Sequence, residues 1–120
     1  MTVLLIAIGA ALGAPLRYLT DRAVQARHGS VFPWGTLTVN VAGSLLLGAV
    51  AAVPAVPAVG ALVGTGFCGA LTTWSTLSYE TLRLARNGAR HHALANALLS
   101  VVAGLGAASL GYALARALTD

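Results

Sequence analysis

Four apolar runs follow one another along this chain, each close to the length that a bilayer-crossing helix requires. Such a helix needs about 20 consecutive, mostly apolar residues. The runs cover residues 2–19, 34–53, 58–84 and 93–118. Between them lie a polar stretch from Thr20 to Pro33, a turn punctuated by Pro54 and Pro57, and a loop from Ala85 to His92. Only 8% of the residues are charged, 58% are apolar, and the mean hydropathy is +0.83. A soluble domain carries about 25% charged residues, so lipid is the solvent this surface suits. The expectation is an all-α membrane protein, a single domain over residues 1–120 with four transmembrane helices. No basic segment precedes the first run, and three similar runs follow it. It therefore reads as a first transmembrane helix and not as a cleaved signal peptide.

Charge placement bears on partners and orientation. The formal net charge is +4 and every cation other than histidine is Arg. These Arg residues sit at the ends of apolar runs, form no basic stripe and are not interleaved with aromatics, which argues against nucleic-acid binding. If the chain crosses four times, its first and third connections share one side. With the helix ends beside them they collect Arg17, Arg22, Arg27, Arg83, Arg86 and Arg90, against Arg116 alone on the other side. The positive-inside rule puts those connections in the cytoplasm and both termini outside a cell membrane, unless the protein inserts in both directions.

The third run is the unusual one. It carries Gly60, Gly64, Gly66 and Gly69, followed by the hydroxyls of Thr72, Thr73, Ser75, Thr76 and Ser78. Glycine weakens a helix, and Ser or Thr satisfies freed backbone groups. Irregular backbone at membrane depth is tolerated where protein or a water-filled cavity covers it. A helix broken near Gly69 to Thr73 and a continuous helix with small residues for close packing are both compatible with this pattern. Gly9 with Gly13 and Gly60 with Gly64 form GxxxG spacings that let helix backbones approach, which suits oligomerisation.

Polar side chains inside apolar runs are few. Asn40 and Ser44 are one helical turn apart, and so are Asn96 and Ser100, with Gly104 next on that stripe. Each pair suits either interhelical hydrogen bonding or a narrow polar path. No acid lies deep in any run, Glu80 standing towards an end. A path of amide and hydroxyl donors without carboxylates suits a small anion better than a cation. The absence of an acid from the first run disfavours a four-span multidrug exporter driven by protons. A non-transporting membrane partner, its polar groups serving as packing glue, is the other alternative. The lone Cys68 has no partner for a disulfide or metal pair. Without lysine there is no phosphate-binding GK[ST] loop, and His91 and His92 are adjacent in a loop, so no catalytic set is indicated and an enzyme is not expected.

The run Gly66-Phe67-Cys68-Gly69-Ala70-Leu71-Thr72-Thr73-Trp74-Ser75-Thr76-Leu77-Ser78-Tyr79-Glu80 resembles the signature of the Fluc (CrcB) fluoride channels, close to GFCGGLTTFSTFSxE. Gly9 to Tyr18 resembles that family's GxxxGAxxRY pattern. Gly35-Thr36-Leu37 with Val39-Asn40 and Gly43 resembles its GTLxVNxxG. The resemblance covers essentially the whole chain. It implies a passive fluoride channel that lowers cytoplasmic fluoride, built as an antiparallel dimer of four-helix subunits whose third helix is broken. It further implies a structural sodium ion on the dimer axis, held by backbone carbonyls matching Gly69 and Thr72. The implied ion path matches Asn40, Trp74, Ser75, Thr76, Leu77, Asn96 and Ser100, with Arg17 and Glu80 at the vestibule. Two departures stand out. Trp74 and Leu77 replace a phenylalanine pair whose ring edges are partly positive, and Asn96 stands where many members have tyrosine. With the Arg bias, these departures raise a heterodimer with an oppositely oriented homologue beside the homodimer.

Overall fold

The computed structural model describes residues 2–29, 32–53, 57–73 and 75–119, and the described residues outside turns and loops are helical. Helix α1 is Thr2–His28 and α2 is Trp34–Ala52. A composite helix, α3, covers residues 57–71: an α-helical Pro57–Val59, a π-helical Gly60–Cys68 and an α-helical Gly69–Leu71. Helix α4 is Ser75–Arg86 and α5 is Arg90–Thr119. Three of these, α1, α2 and α5, are long and apolar enough to cross a membrane.

The burial pattern is inverted relative to a water-soluble bundle. Inward positions of α5 are Ala93, Asn96, Ser100, Ala107 and Gly111, whereas Leu98, Val102 and Leu105 face out with more than half of their surface exposed. Small and polar residues inside with large aliphatics outside is the arrangement lipid favours, because packing and not water exclusion brings the helices together. The helices touch backbone to backbone. An added methyl at Gly48 would strike the Ala108 carbonyl, and one at Gly111 would strike that of Leu45, so α2 and α5 meet along their main chains. Gly9 and Gly13 do the same for α1 against α3, facing the Leu62 and Phe67 carbonyls.

Two boundaries differ from the sequence expectation. Helix α1 does not stop at Leu19 but continues through the polar stretch to His28. Asp21, Arg22 and Arg27 are compatible with a helix that has simply left the apolar layer. Its end is tied to α2 by Gln25, whose Nε2 donates to the Phe32 carbonyl at 3.1 Å and whose Oε1 accepts from the Gly35 N–H at 3.3 Å. The loop expected from Ala85 to His92 shrinks to a tight turn between Arg86 and Arg90. There Gly88 adopts φ +82°, its N–H reaches the Ala85 carbonyl at 3.3 Å, and the Ala89 N–H reaches that of Leu84 at 2.8 Å. This Schellman closure needs the left-handed conformation that glycine adopts without strain.

Candidate functional site

The chain leaves helical geometry at Thr72, which is extended at φ −80° and ψ 161°. The interruption lies within the Gly69–Thr73 region that the hydroxyl-rich stretch marks as a candidate break. Its stabilisation comes from α2. Asn40 donates from Nδ2 to the Thr73 carbonyl at 3.1 Å and accepts from the Thr73 N–H at Oδ1, 2.7 Å. One amide side chain thus satisfies both main-chain groups of one residue, as a neighbouring strand would. Thr73 is buried, and its hydroxyl accepts the Thr76 N–H at 3.1 Å, capping the start of α4. The Thr72 hydroxyl donates to the Cys68 carbonyl at 2.9 Å, which fixes its side chain. Gly43 makes room for it, since a methyl there would collide with the Thr72 methyl.

Beside the break runs a groove of about 420 Å³, lined by Asn40, Ser44, Thr72, Thr73, Leu77 and Ser100 together with small and aliphatic residues of α5. Among the described residues, no charged side chain borders it. The Ser100 hydroxyl is buried and has no hydrogen-bond partner among the described residues. Asn40 has a second amide N–H beyond the one given to Thr73. Asn96 lies fully buried one turn before Ser100, outside the groove lining. Its Nδ2 donates to the Thr81 hydroxyl at 2.8 Å, and its Oδ1 is buried without a partner among the described residues.

A second cavity, of about 570 Å³, opens between the polar end of α1 and α4 and is lined by Asp21, Arg22, Gln25, Glu80, Arg83 and Asn87 among others. Glu80 accepts the Thr36 hydroxyl at 2.5 Å, joining α4 to α2. Arg17 is half-buried and borders neither cavity.

The sequence-derived residues therefore fall into groups. Asn40, Leu77 and Ser100 share the groove wall with Thr72. Ser75 is exposed and Thr76 half-buried, and neither lines the groove. Gly69 is exposed at the end of α3, with none of the described residues within 4 Å of where a side chain would begin. Trp74 lies outside the described residues. Sequence reasoning did not assign Thr36, Thr73 or Thr81 to the site. Thr36 was within reach, being one turn before Asn40, which is itself one turn before Ser44.

Residues 4–112 match the family model described as "CrcB-like protein, Camphor Resistance (CrcB)". The chain is 65% identical to a protein of Frankia casuarinae, over 98% of each chain, and 58% identical to one of Streptomyces avermitilis, again over 98% of each. Both are named "Fluoride-specific ion channel FluC 1". A Mycobacterium tuberculosis relative named "Fluoride-specific ion channel FluC 2" is 48% identical over 88% of this chain and 83% of its own.

Proposed function

The chain belongs to the CrcB-like family, and from that premise we propose that it is a subunit of a passive, fluoride-selective channel in the cell membrane. The carrying observation is the groove, uncharged among the described residues, in which the buried Ser100 hydroxyl has no partner among them. An orphan buried donor is costly unless a ligand uses it. Ser100 and the second N–H of Asn40 would replace part of the hydration shell of a small anion, and no carboxylate among the described residues of the groove wall repels it. Leu77 would close the groove with an apolar wall that excludes competing water. Ser75, Thr76 and Trp74, just beyond the break, and Asn96 beside Ser100 are proposed to extend the path. Arg17 and Glu80 are assigned to the vestibule, where the Arg field raises local anion concentration.

In this reading residues 58–84 cross the membrane as an interrupted third helix, giving a single four-span domain with extracytoplasmic termini unless insertion is dual. Two copies pack antiparallel. The exposed Gly69, with open space beside it, suits a face that a second subunit covers. A structural sodium ion on the dimer axis is proposed to be held by the Gly69 and Thr72 carbonyls. The donor set fits: the N–H groups four residues on, those of Thr73 and Thr76, are given to Asn40 and to the Thr73 hydroxyl. Two-fold symmetry would turn two neutral oxygens into four, and a hard monovalent cation suits such carbonyls.

A second reading makes the chain one half of a heterodimer with an oppositely oriented homologue. It is favoured by Leu77, a buried groove residue that offers an anion no polar or ring-edge contact. Fluoride-electrode recording from liposomes separates these readings. Fluoride efflux without chloride efflux from the chain alone supports the homodimer. Efflux that appears only when an oppositely biased homologue is added supports the heterodimer. Fluoride retained in both preparations contradicts the channel function.

A further inference from the structure

Two N–H groups at the break do not go where a continuous helix would send them. In an α-helix the N–H of residue 73 bonds to carbonyl 69, and that of residue 76 to carbonyl 72. Here the Thr73 N–H is given to Asn40 Oδ1 at 2.7 Å, and the Thr76 N–H to the Thr73 hydroxyl at 3.1 Å. Both diversions pass through one buried residue, Thr73. The two carbonyls concerned are those of Gly69 and Thr72.

We infer that Thr73 is a positioning residue for the central cation, because its main-chain N–H, held by Asn40, and its hydroxyl, holding Thr76, keep helical donors off the Gly69 and Thr72 carbonyls. This inference rests on the sodium reading proposed above. The hydroxyl is the part that mutation can isolate. Without it, the Thr76 N–H is left at the half-buried start of α4 with the Thr72 carbonyl as its ordinary helical acceptor. Extending α4 backwards by that bond would turn the Thr72 carbonyl along the helix axis and away from the cation. The Thr73 carbonyl, bonded to Asn40 Nδ2 at 3.1 Å, resists such a rotation from the other side. Thr73 would thus act on the cation without touching it, as the groups that orient metal ligands do.

A plain helix cap would look the same in a stability assay, so the test reads sodium dependence. The purified full chain is unfolded by heat in lipid nanodiscs across a sodium titration, with N-methyl-D-glucamine keeping ionic strength constant. Thr73→Ser and Thr73→Asn retain capping side chains, whereas Thr73→Val and Thr73→Ala do not. The unmodified chain is expected to gain stability saturably with sodium. The capping pair should reach half effect within about twofold of it, and the two non-capping variants should require about tenfold more sodium. Should the valine variant fail to fold, the smaller alanine carries the comparison. Non-capping variants with a lowered melting temperature but an unchanged sodium midpoint would reduce Thr73 to a cap and overturn the inference. An unmodified chain indifferent to sodium would instead overturn the cation reading, and the inference with it.

Discussion

The two segments on either side of the break at Thr72 are built on opposite rules. Before it, residues 57–71 carry small side chains, widen into a π-helix over Gly60–Cys68 and meet α1 through main-chain atoms. After it, Ser75–Arg86 is an ordinary amphipathic helix joined to the bundle by side chains: Leu77 and Leu84 are buried, Thr81 accepts from Asn96 and Glu80 accepts from Thr36. Position is set in the first segment by how closely two backbones approach, and in the second by discrete pairs. A long π-helix is rare because its geometry is poor. Here the Gly69 N–H reaches the Gly64 carbonyl five residues back, within the stretch that packs on Gly9 and Gly13 of α1. An added Cβ should therefore be catastrophic where the first segment and α1 meet through their backbones, and lost hydrogen bonds should be graded in the second.

The largest effect is expected from Gly9→Leu. A Cβ there already meets the Leu62 carbonyl and lies 2.7 Å from the Phe67 nitrogen. Backbone has no room to give, so the loss should exceed the ~1–3 kcal/mol usual for overpacking. Size-exclusion profiles and yield of the reconstituted variant would read it as failure to fold. A variant that behaves as the parent would remove the close approach of α1 and α3 on which the first half of the comparison stands.

Next comes the link between the segments. Asn40→Leu keeps the volume but leaves the Thr73 N–H and carbonyl without partners, at about 1–3 kcal/mol for each buried group. Thermal unfolding should fall accordingly, and fluoride efflux should fall with it. Thr36→Val removes one hydroxyl donor to Glu80. The expected loss is about 1.5 kcal/mol, the low end for a bond to a charged group, because Glu80 also borders the open polar cavity. The smallest change is expected at Gly60, where a Cβ would meet none of the described residues within 4 Å. Gly60→Ala should be neutral or stabilising by up to ~1 kcal/mol through reduced backbone freedom in the unfolded chain. A large loss there would show that glycine content, and not particular approaches, governs the first segment.

The legibility of this molecule in its sequence follows the same division. Apolar length and missing charge disclosed the membrane helices, because lipid solvation is a property of whole segments. Hydroxyls after the last glycine of the third run marked the region of the break. The π-helix was invisible, since glycine spacing alone does not distinguish a widened helix from a closely packed one. The extension of α1 to His28 was missed because hydropathy ends where the apolar layer ends, whereas hydrogen bonding continues. Thr36 and Glu80 are far apart in sequence, so their bond had no local signal. Thr73 had a signal of the capping kind, but Thr72, Ser75 and Thr76 compete for the same role nearby.

The central claim is that the groove holds a donor kept for an anion, and Ser100→Ala tests it most directly. That hydroxyl has no partner among the described residues, so its removal should not lower thermal stability. Efflux of fluoride from liposomes should slow by about tenfold, the scale of one hydrogen bond to a charged group. The measurement is paired: melting temperature and fluoride-electrode trace on one preparation, in whichever dimer conducts. The expected result is an unchanged or raised melting temperature with slowed fluoride efflux. Unchanged efflux, or a fall in stability that alone accounts for the slowing, would contradict a role for Ser100 in the path.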